Sequence, residues 1–190
     1  MILNLPYLSQ HSAATDPFWK PRACAIVCIK TVGDLMRPGS MPSVDDLIHE
    51  GQAIGGFDRG PGWRHLHLTI LLHNHGVLAY SQEYRSAGNR TTSGVYVPSE
   101  YTEEFTNAAL TKMIYELKSG RPVIITVPGK SNLPGQVHMM VLTGFEYESD
   151  QIAGFYYNNP DTLIEAEGKD CFIKKEDFIK GWRRFAIFVE

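Results

Sequence analysis

Cys24 opens an apolar stretch, Ala23-Cys24-Ala25-Ile26-Val27-Cys28-Ile29-Lys30-Thr31-Val32-Gly33-Asp34-Leu35-Met36, that reads as a helix. In the first turn of a helix, backbone N–H groups and the helix dipole favour a thiolate over a thiol. A thiolate is a nucleophile, and it needs a partner that takes and returns a proton. His138 heads a strand-like run far downstream, and Asn159, in Tyr157-Asn158-Asn159-Pro160-Asp161, follows the next strand within reach of an imidazole that must be oriented. Gln10 precedes the cysteine and carries a side-chain amide suited to an oxyanion hole. Together these types point to nucleophilic attack on a carbonyl carbon. Taken singly they have plainer readings: free cysteines are commonly small buried hydrophobes, and His138 alone suits a hydrogen-bonded strand histidine.

Other constellations carry less chemistry. His65, His67, His73 and His75 suggest a metal site, but helical ligands want i,i+4 spacing. The pairs here are i,i+2, roughly 200° apart around a helix, which suits half-buried polar positions, with one of them near Trp63. Gly129-Lys130-Ser131 hints at a phosphate loop, but the position for its first glycine is Ile124 and Leu133-Pro134-Gly135 blocks a following helix. No G-x-S-x-G elbow is present. No metal or organic cofactor is expected.

These residues need elements to position them. The alternation of Ile2 to Leu8 predicts a short strand, and Gln10 to Arg22 a loop. The cysteine helix runs to Met36, before Pro38-Gly39, and its Gly33 marks close packing. Ser43 is an N-cap for a short helix ending near Gly51, Gly55 to Gly62 is a glycine-rich loop, and Trp63 to His75 is a helix closed by Gly76. A strand over Val77 to Tyr84, a polar loop over Arg85 to Ser99 and an amphipathic helix over Glu103 to Ser119 follow. Strands are predicted over Pro122 to Val127, Val137 to Tyr147, Ile152 to Tyr157 and Phe185 to Val189, with a loop over Pro128 to Gly135 and a helix over Lys174 to Trp182. Helices early and strands late give an α+β fold.

The chain has 190 residues, 43% hydrophobic and 21% charged, which suits one globular domain over residues 1–190. A net charge of -3 and the lack of a basic, aromatic-laced patch argue against nucleic acid. No apolar run approaches the roughly 20 residues of a spanning helix. The N-terminus lacks the basic lead of a signal peptide, so the expected location is cytoplasmic. The three cysteines, Cys24, Cys28 and Cys171, are an odd count and are expected as free thiols. Cys24 and Cys28, at i,i+4, stand roughly 6 Å apart at Cβ, too far for a disulfide's 3.8 Å or so.

The chain resembles the bacteriocin-processing, double-glycine-leader peptidases and their stand-alone relatives, of the papain-like cysteine peptidase superfamily. The motifs are Leu5-Pro6-Tyr7-Leu8-Ser9-Gln10, Asp16-Pro17-Phe18-Trp19, Ala23 to Cys28, Gly135 to Phe145, Tyr157-Asn158-Asn159-Pro160 and the segment Phe178 to Trp182. The resemblance covers most of the chain, least well from Ser40 to Gly120. It implies a papain-like fold, with a helical part carrying the cysteine packed on an antiparallel sheet carrying the histidine. It makes Cys24 the nucleophile, His138 the base and Gln10 the oxyanion donor, with Asn159 orienting His138 and Asp161 the alternative for that role. Three positions depart from the family pattern: Ala25 replaces a glycine, Gln136-Val137 separate His138 from Gly135, and Asn159 stands where an aspartate is usual. The implied activity is hydrolysis of a peptide or amide bond through a thioester, with a peptide or protein as substrate. A catalytically silent peptide-binding domain and an acyl transferase using the same thioester are the alternatives.

Overall fold

The computed structural model describes residues 1–60, 62–85, 89–90, 96–97, 100–129 and 137–190. The helices are α1 (Gln10–Ala13), α2 (Cys24–Met36), α3 (Val44–Ala53), α4 (His65–Asn74), α5 (Glu103–Lys118), α6 (Glu165–Gly168) and α7 (Lys175–Gly181). The strands are β1 (Phe57–Asp58), β2 (Gly62–Trp63), β3 (Ala79–Glu83), β4 (Asn89–Arg90), β5 (Tyr96–Val97), β6 (Val123–Pro128), β7 (Val137–Glu148), β8 (Gln151–Asn158), β9 (Cys171–Lys174) and β10 (Phe185–Val189). A six-stranded sheet runs in the order β3-β10-β6-β7-β8-β9, and every pairing in it is antiparallel.

Period-2 alternation sends the two faces of this sheet into two cores. Ile124, Met139, Val141, Ile187 and Val189 join the cluster built on α2, α3 and α4, around Ile26, Ile29, Leu47 and Leu71. Val123, Ile125, Met140, Leu142, Ala186 and Phe188 face Met113 and Leu117 of α5 and Phe178 of α7. The architecture is the expected α+β, with the cysteine helix packed on the strand that carries His138. The Ser43 hydroxyl caps α3 by accepting from Asp46 N–H at 3.1 Å, and the Thr102 hydroxyl caps α5 by accepting from Phe105 N–H at 3.2 Å, each worth about 1 kcal/mol. A Cβ on Gly33 would overlap the Met41 thioether, which is the close packing its place in α2 suggests.

Several elements differ from the sequence reading. Ile2 to Leu8 is not a strand: it touches the sheet through one bridge, Ile2 to Gly144, and through Leu3 N–H donating to Thr143 C=O at 2.7 Å. Pro6 has no N–H to continue a ladder, and Leu5 turns into the α2 core instead. The loop over residues 10–22 contains α1 and a 3-10 turn, Lys20–Arg22. The glycine-rich loop contains the β1–β2 hairpin, with Phe57 opposite Trp63. α6 and β9 were not legible in the hydrophobic pattern, since the residues of β9, Cys171-Phe172-Ile173-Lys174, do not alternate in polarity. Lys130 and Ser131 of the Gly129-Lys130-Ser131 motif and most of the Arg85 to Ser99 segment lie outside the described residues, although β4 and β5 pair within the latter.

Candidate active site

Cys24 is the first residue of α2 and is half-buried. The N-cap, Ala23, offers the first turn no side-chain oxygen. The opening N–H groups of a helix lack intrahelical partners, and here the Ala25 amide turns one toward the Cys24 sulfur. α2 packs on β7, which sets the sulfur beside the His138 side chain and the Met139 backbone, and both act on its titration.

His138 is the second residue of β7 and pairs across the sheet with Val127. Its Nε2 lies 2.7 Å from Asn159 Oδ1. The register of β7 with β8 sets Val141 opposite Asn158, which brings Asn159, one residue beyond the strand, alongside the imidazole. Asp161 N–H donates to the same Oδ1 at 3.0 Å, so that atom is an accepting oxygen and His138 Nε2 is the donor. Nδ1 is then the ring nitrogen that faces Cys24.

The electrostatics follow from these contacts. Burial works against a Cys24 thiolate, but the hydrogen bond and charge of His138, with the Met139 and Ala25 amides, outweigh it and hold the thiol below its ordinary range. Burial likewise works against an imidazolium at His138, and the Cys24 hydrogen bond and charge, Asn159 and Asp161 together raise its pKa. Each group makes the other's charged form easier to hold, which is the condition for a thiolate–imidazolium pair. Cys28, one turn deeper and buried, is pushed well up by burial and by the neighbouring Cys24 charge. Cys171 is also raised, by burial and then by Asp170, and its S–H donates to Glu167 C=O at 3.1 Å. All three cysteines are free.

Gln10 lies on the other side of the residue 159–161 segment. Its backbone N–H donates to Pro160 C=O at 2.9 Å, its side chain is buried, and its Nε2 donates to Asp161 Oδ1 at 3.1 Å. His11 Nε2 stands 2.9 Å from the same carboxylate oxygen. Of the two candidates for orienting His138, Asn159 makes the contact, and Asp161 is turned toward Gln10 and His11. The Gln10 amide keeps one further N–H beyond its bond to Asp161, and Gln10 is not among the residues that line the cleft at Cys24. The sequence reading missed His11, whose signal was its place beside Gln10.

The Cys24 sulfur opens onto a cleft. One wall is the β1–β2 hairpin with Phe57, Arg59 and Trp63, and the other is formed by Ala25, Val137 and Met139. Trp63 Nε1 donates to Arg22 C=O at 2.9 Å, and Trp19 packs on both Phe57 and Trp63, which makes the wall rigid. The helix histidines take separate positions. His65 stacks on Phe185 with ring centroids 3.7 Å apart, His73 Nε2 lies 2.7 Å from Ala79 C=O, and His75 Nε2 lies 2.7 Å from Glu50 Oε2. Among the described residues, His65 is the histidine of α4 that borders the site, in an adjoining depression shared with Trp63 and Val137.

Comparisons with known proteins bear on the fold that carries this site. Among solved structures, a protein described as a C39-like peptidase from Bacillus anthracis superposes with a TM-score of 0.61 at 15% identity, over 100% of this chain and 96% of that one. The peptidase domain of Streptococcus ComA, a bifunctional ABC transporter involved in a quorum-sensing pathway, gives 0.56 at 17% identity, over 88% and 90%. A double-glycine-motif protease from an AMS/PCAT transporter, solved with the leader peptide, gives 0.55 at 15% identity, over 99% and 92%. At these identities the likeness is one of fold. No curated protein matches the chain. Among the described residues no helix is long and apolar enough to cross a membrane. The profile of the Peptidase_C39 like family matches residues 2–186. The chain therefore belongs to the Peptidase_C39 like family, with a papain-like fold and a function of the cysteine-peptidase type.

Proposed function

We propose that the protein hydrolyses a peptide or amide bond through a thioester on Cys24. The observation that carries this reading is the continuous contact from Cys24 through His138 to Asn159, with the thiol pKa lowered and the imidazole pKa raised. The Cys24 thiolate attacks the scissile carbonyl carbon and forms the C–S bond. The oxyanion is held by the free N–H of the Gln10 amide and the Cys24 backbone N–H. His138 Nδ1–H gives its proton to the leaving nitrogen as the C–N bond breaks. Water then attacks the thioester, His138 takes the water proton, and the C–S bond breaks to release the acid and return the thiolate. Asn159 keeps Nε2–H pointing away from sulfur throughout, so Nδ1 always does the transfer. A leader peptide bound to a neighbour of the same fold supports a peptide as the substrate class.

The test is single-turnover digestion of a peptide library, with intact-mass detection of an acyl adduct on Cys24. Cleavage with an adduct that disappears in Cys24→Ala supports hydrolysis. Peptide binding without cleavage in the wild type contradicts it and points to a silent binding domain. Release of product as an amide of an added amine in preference to the acid points to acyl transfer.

A further inference from the structure

The cleft at Cys24 has a charge of its own. Its described lining side chains include two guanidinium groups, Arg22 and Arg59, and no carboxylate, in a chain whose net charge is -3. Arg22 is held in place: Nη1 donates to Phe18 C=O at 2.8 Å, and the guanidinium sits 4.3 Å from the centre of the Phe18 ring. These contacts satisfy part of its donor set and leave its charge uncancelled. Arg59 sits in the bend of the β1–β2 hairpin, and the nearest acid in sequence is committed elsewhere. Asp58 Oδ1 accepts from Gly60 N–H at 3.0 Å, and Asp58 Oδ2 pairs with Arg64 at 3.4 Å. Among the described residues, Arg59 has no ion-pair partner, although it is exposed on the rim of a cleft otherwise walled by Phe57, Trp63, Val137 and Met139.

We propose that Arg59, with Arg22 behind it, forms a carboxylate-binding subsite in the Cys24 cleft, so that the preferred substrates carry a carboxylate close to the scissile bond. The substrate part rests on the peptidase reading above; the subsite itself does not. Planar guanidinium groups pair with carboxylates through parallel N–H donors. A rim walled by low-dielectric aromatic rings strengthens that attraction relative to open water. The carboxylate has two sources, an Asp or Glu side chain or a free peptide C-terminus.

Two haloacetyl reagents read the subsite without any turnover. Iodoacetate and iodoacetamide alkylate the same sulfur and differ in charge, so the ratio of their rates at Cys24 reports the local field. A slow Cys24 would count against the peptidase reading while leaving this ratio measurable. Arg59→Ala is expected to lower the iodoacetate-to-iodoacetamide ratio by about 3- to 10-fold, the size of a partly screened charge interaction. Arg59→Glu is expected to lower it further, and Arg59→Lys to hold it near the wild-type value. An unchanged ratio in Arg59→Ala and Arg59→Glu, with the fold verified by circular dichroism, overturns the subsite. Protection of Cys24 from iodoacetamide separates the sources. Protection by N-acetylaspartic acid α-amide assigns the subsite to acidic side chains. Protection by N-acetylasparagine, with its free α-carboxylate, assigns it to C-termini. Equal protection by the neutral N-acetylasparagine amide overturns it.

Discussion

Cys24 and Cys28 lie one turn apart on the same helix, and their thiols move in opposite directions: the first is lowered and the second is raised well above its ordinary value. Burial opposes the thiolate at both. The difference is the partners. Cys24, at the helix mouth, has the His138 imidazole and two backbone amides around its sulfur, whereas Cys28 packs into the core formed with β7. A helix N-terminus alone does not make a nucleophile; its outermost turn does so where another element delivers a base. The imidazoles repeat the contrast. His138 is held up by Cys24 and Asn159, while His65, on the other side of Trp63, is pushed down to about 4 by burial and by Arg183.

The largest break in this comparison is to exchange the two sulfurs one at a time. Cys24→Ala is expected to abolish peptide hydrolysis. Cys28→Ala is expected to leave it nearly intact and to cost about 1 kcal/mol of stability, the value of one buried methylene-sized group. Digestion assays and urea denaturation of the two variants check this. Next, His138→Ala removes the proposed base and is expected to lower hydrolysis by about 10²- to 10⁴-fold. It also removes the two largest stabilisers of the Cys24 thiolate while burial remains, so the thiol pKa rises, which a pH profile of thiol absorbance or alkylation follows.

A smaller effect separates the two residues of the 159–161 segment. Asn159→Ala is expected to lower hydrolysis by about 10- to 100-fold, the loss of a charged hydrogen bond worth about 1.5–3 kcal/mol, with slower alkylation of Cys24 as well. Asp161→Ala acts chiefly through the Gln10 amide. It is expected to lower kcat by about 10-fold with a smaller effect on alkylation, a reaction that forms no oxyanion. Asp161→Asn, whose Oδ1 still accepts from Gln10 and His11, is expected to restore most of kcat.

Residue type and order along the chain were enough to name the cysteine, the histidine and the asparagine as candidates, and the structure brings the three side chains together. The choice between Asn159 and Asp161 was not, because it depends on which side of Pro160 faces β7. That is settled by the β7–β8 register and by the Asp161 amide bonding Asn159 Oδ1. Ile2 to Leu8 misled because its alternation matches a strand while Pro6 and the burial of Leu5 draw it off the sheet. The β1–β2 hairpin was hidden in a glycine-rich loop because two-residue strands have no period to read.

The last effect concerns stability alone and His65. Its folded pKa of about 4 lies below the ordinary 6.5, so the unfolded chain binds a proton first as the pH falls. The neutral ring's full contribution is present above about pH 6.5 and is lost progressively down to about pH 4, an effect of at most about 3 kcal/mol. His65→Phe, which keeps the stacking on Phe185, is expected to flatten the urea midpoint across that range.

In the proposed mechanism, contact with His138 turns the outermost cysteine of α2 into a thiolate. Site-resolved iodoacetamide labelling at about pH 6, where ordinary thiols are almost wholly protonated, tests it most directly. Cys24 is expected to react faster than Cys171 and Cys28 by about 10-fold or more, and His138→Ala to remove that lead. Equal rates at Cys24 and Cys171, or a Cys24 rate unchanged in His138→Ala, would contradict it.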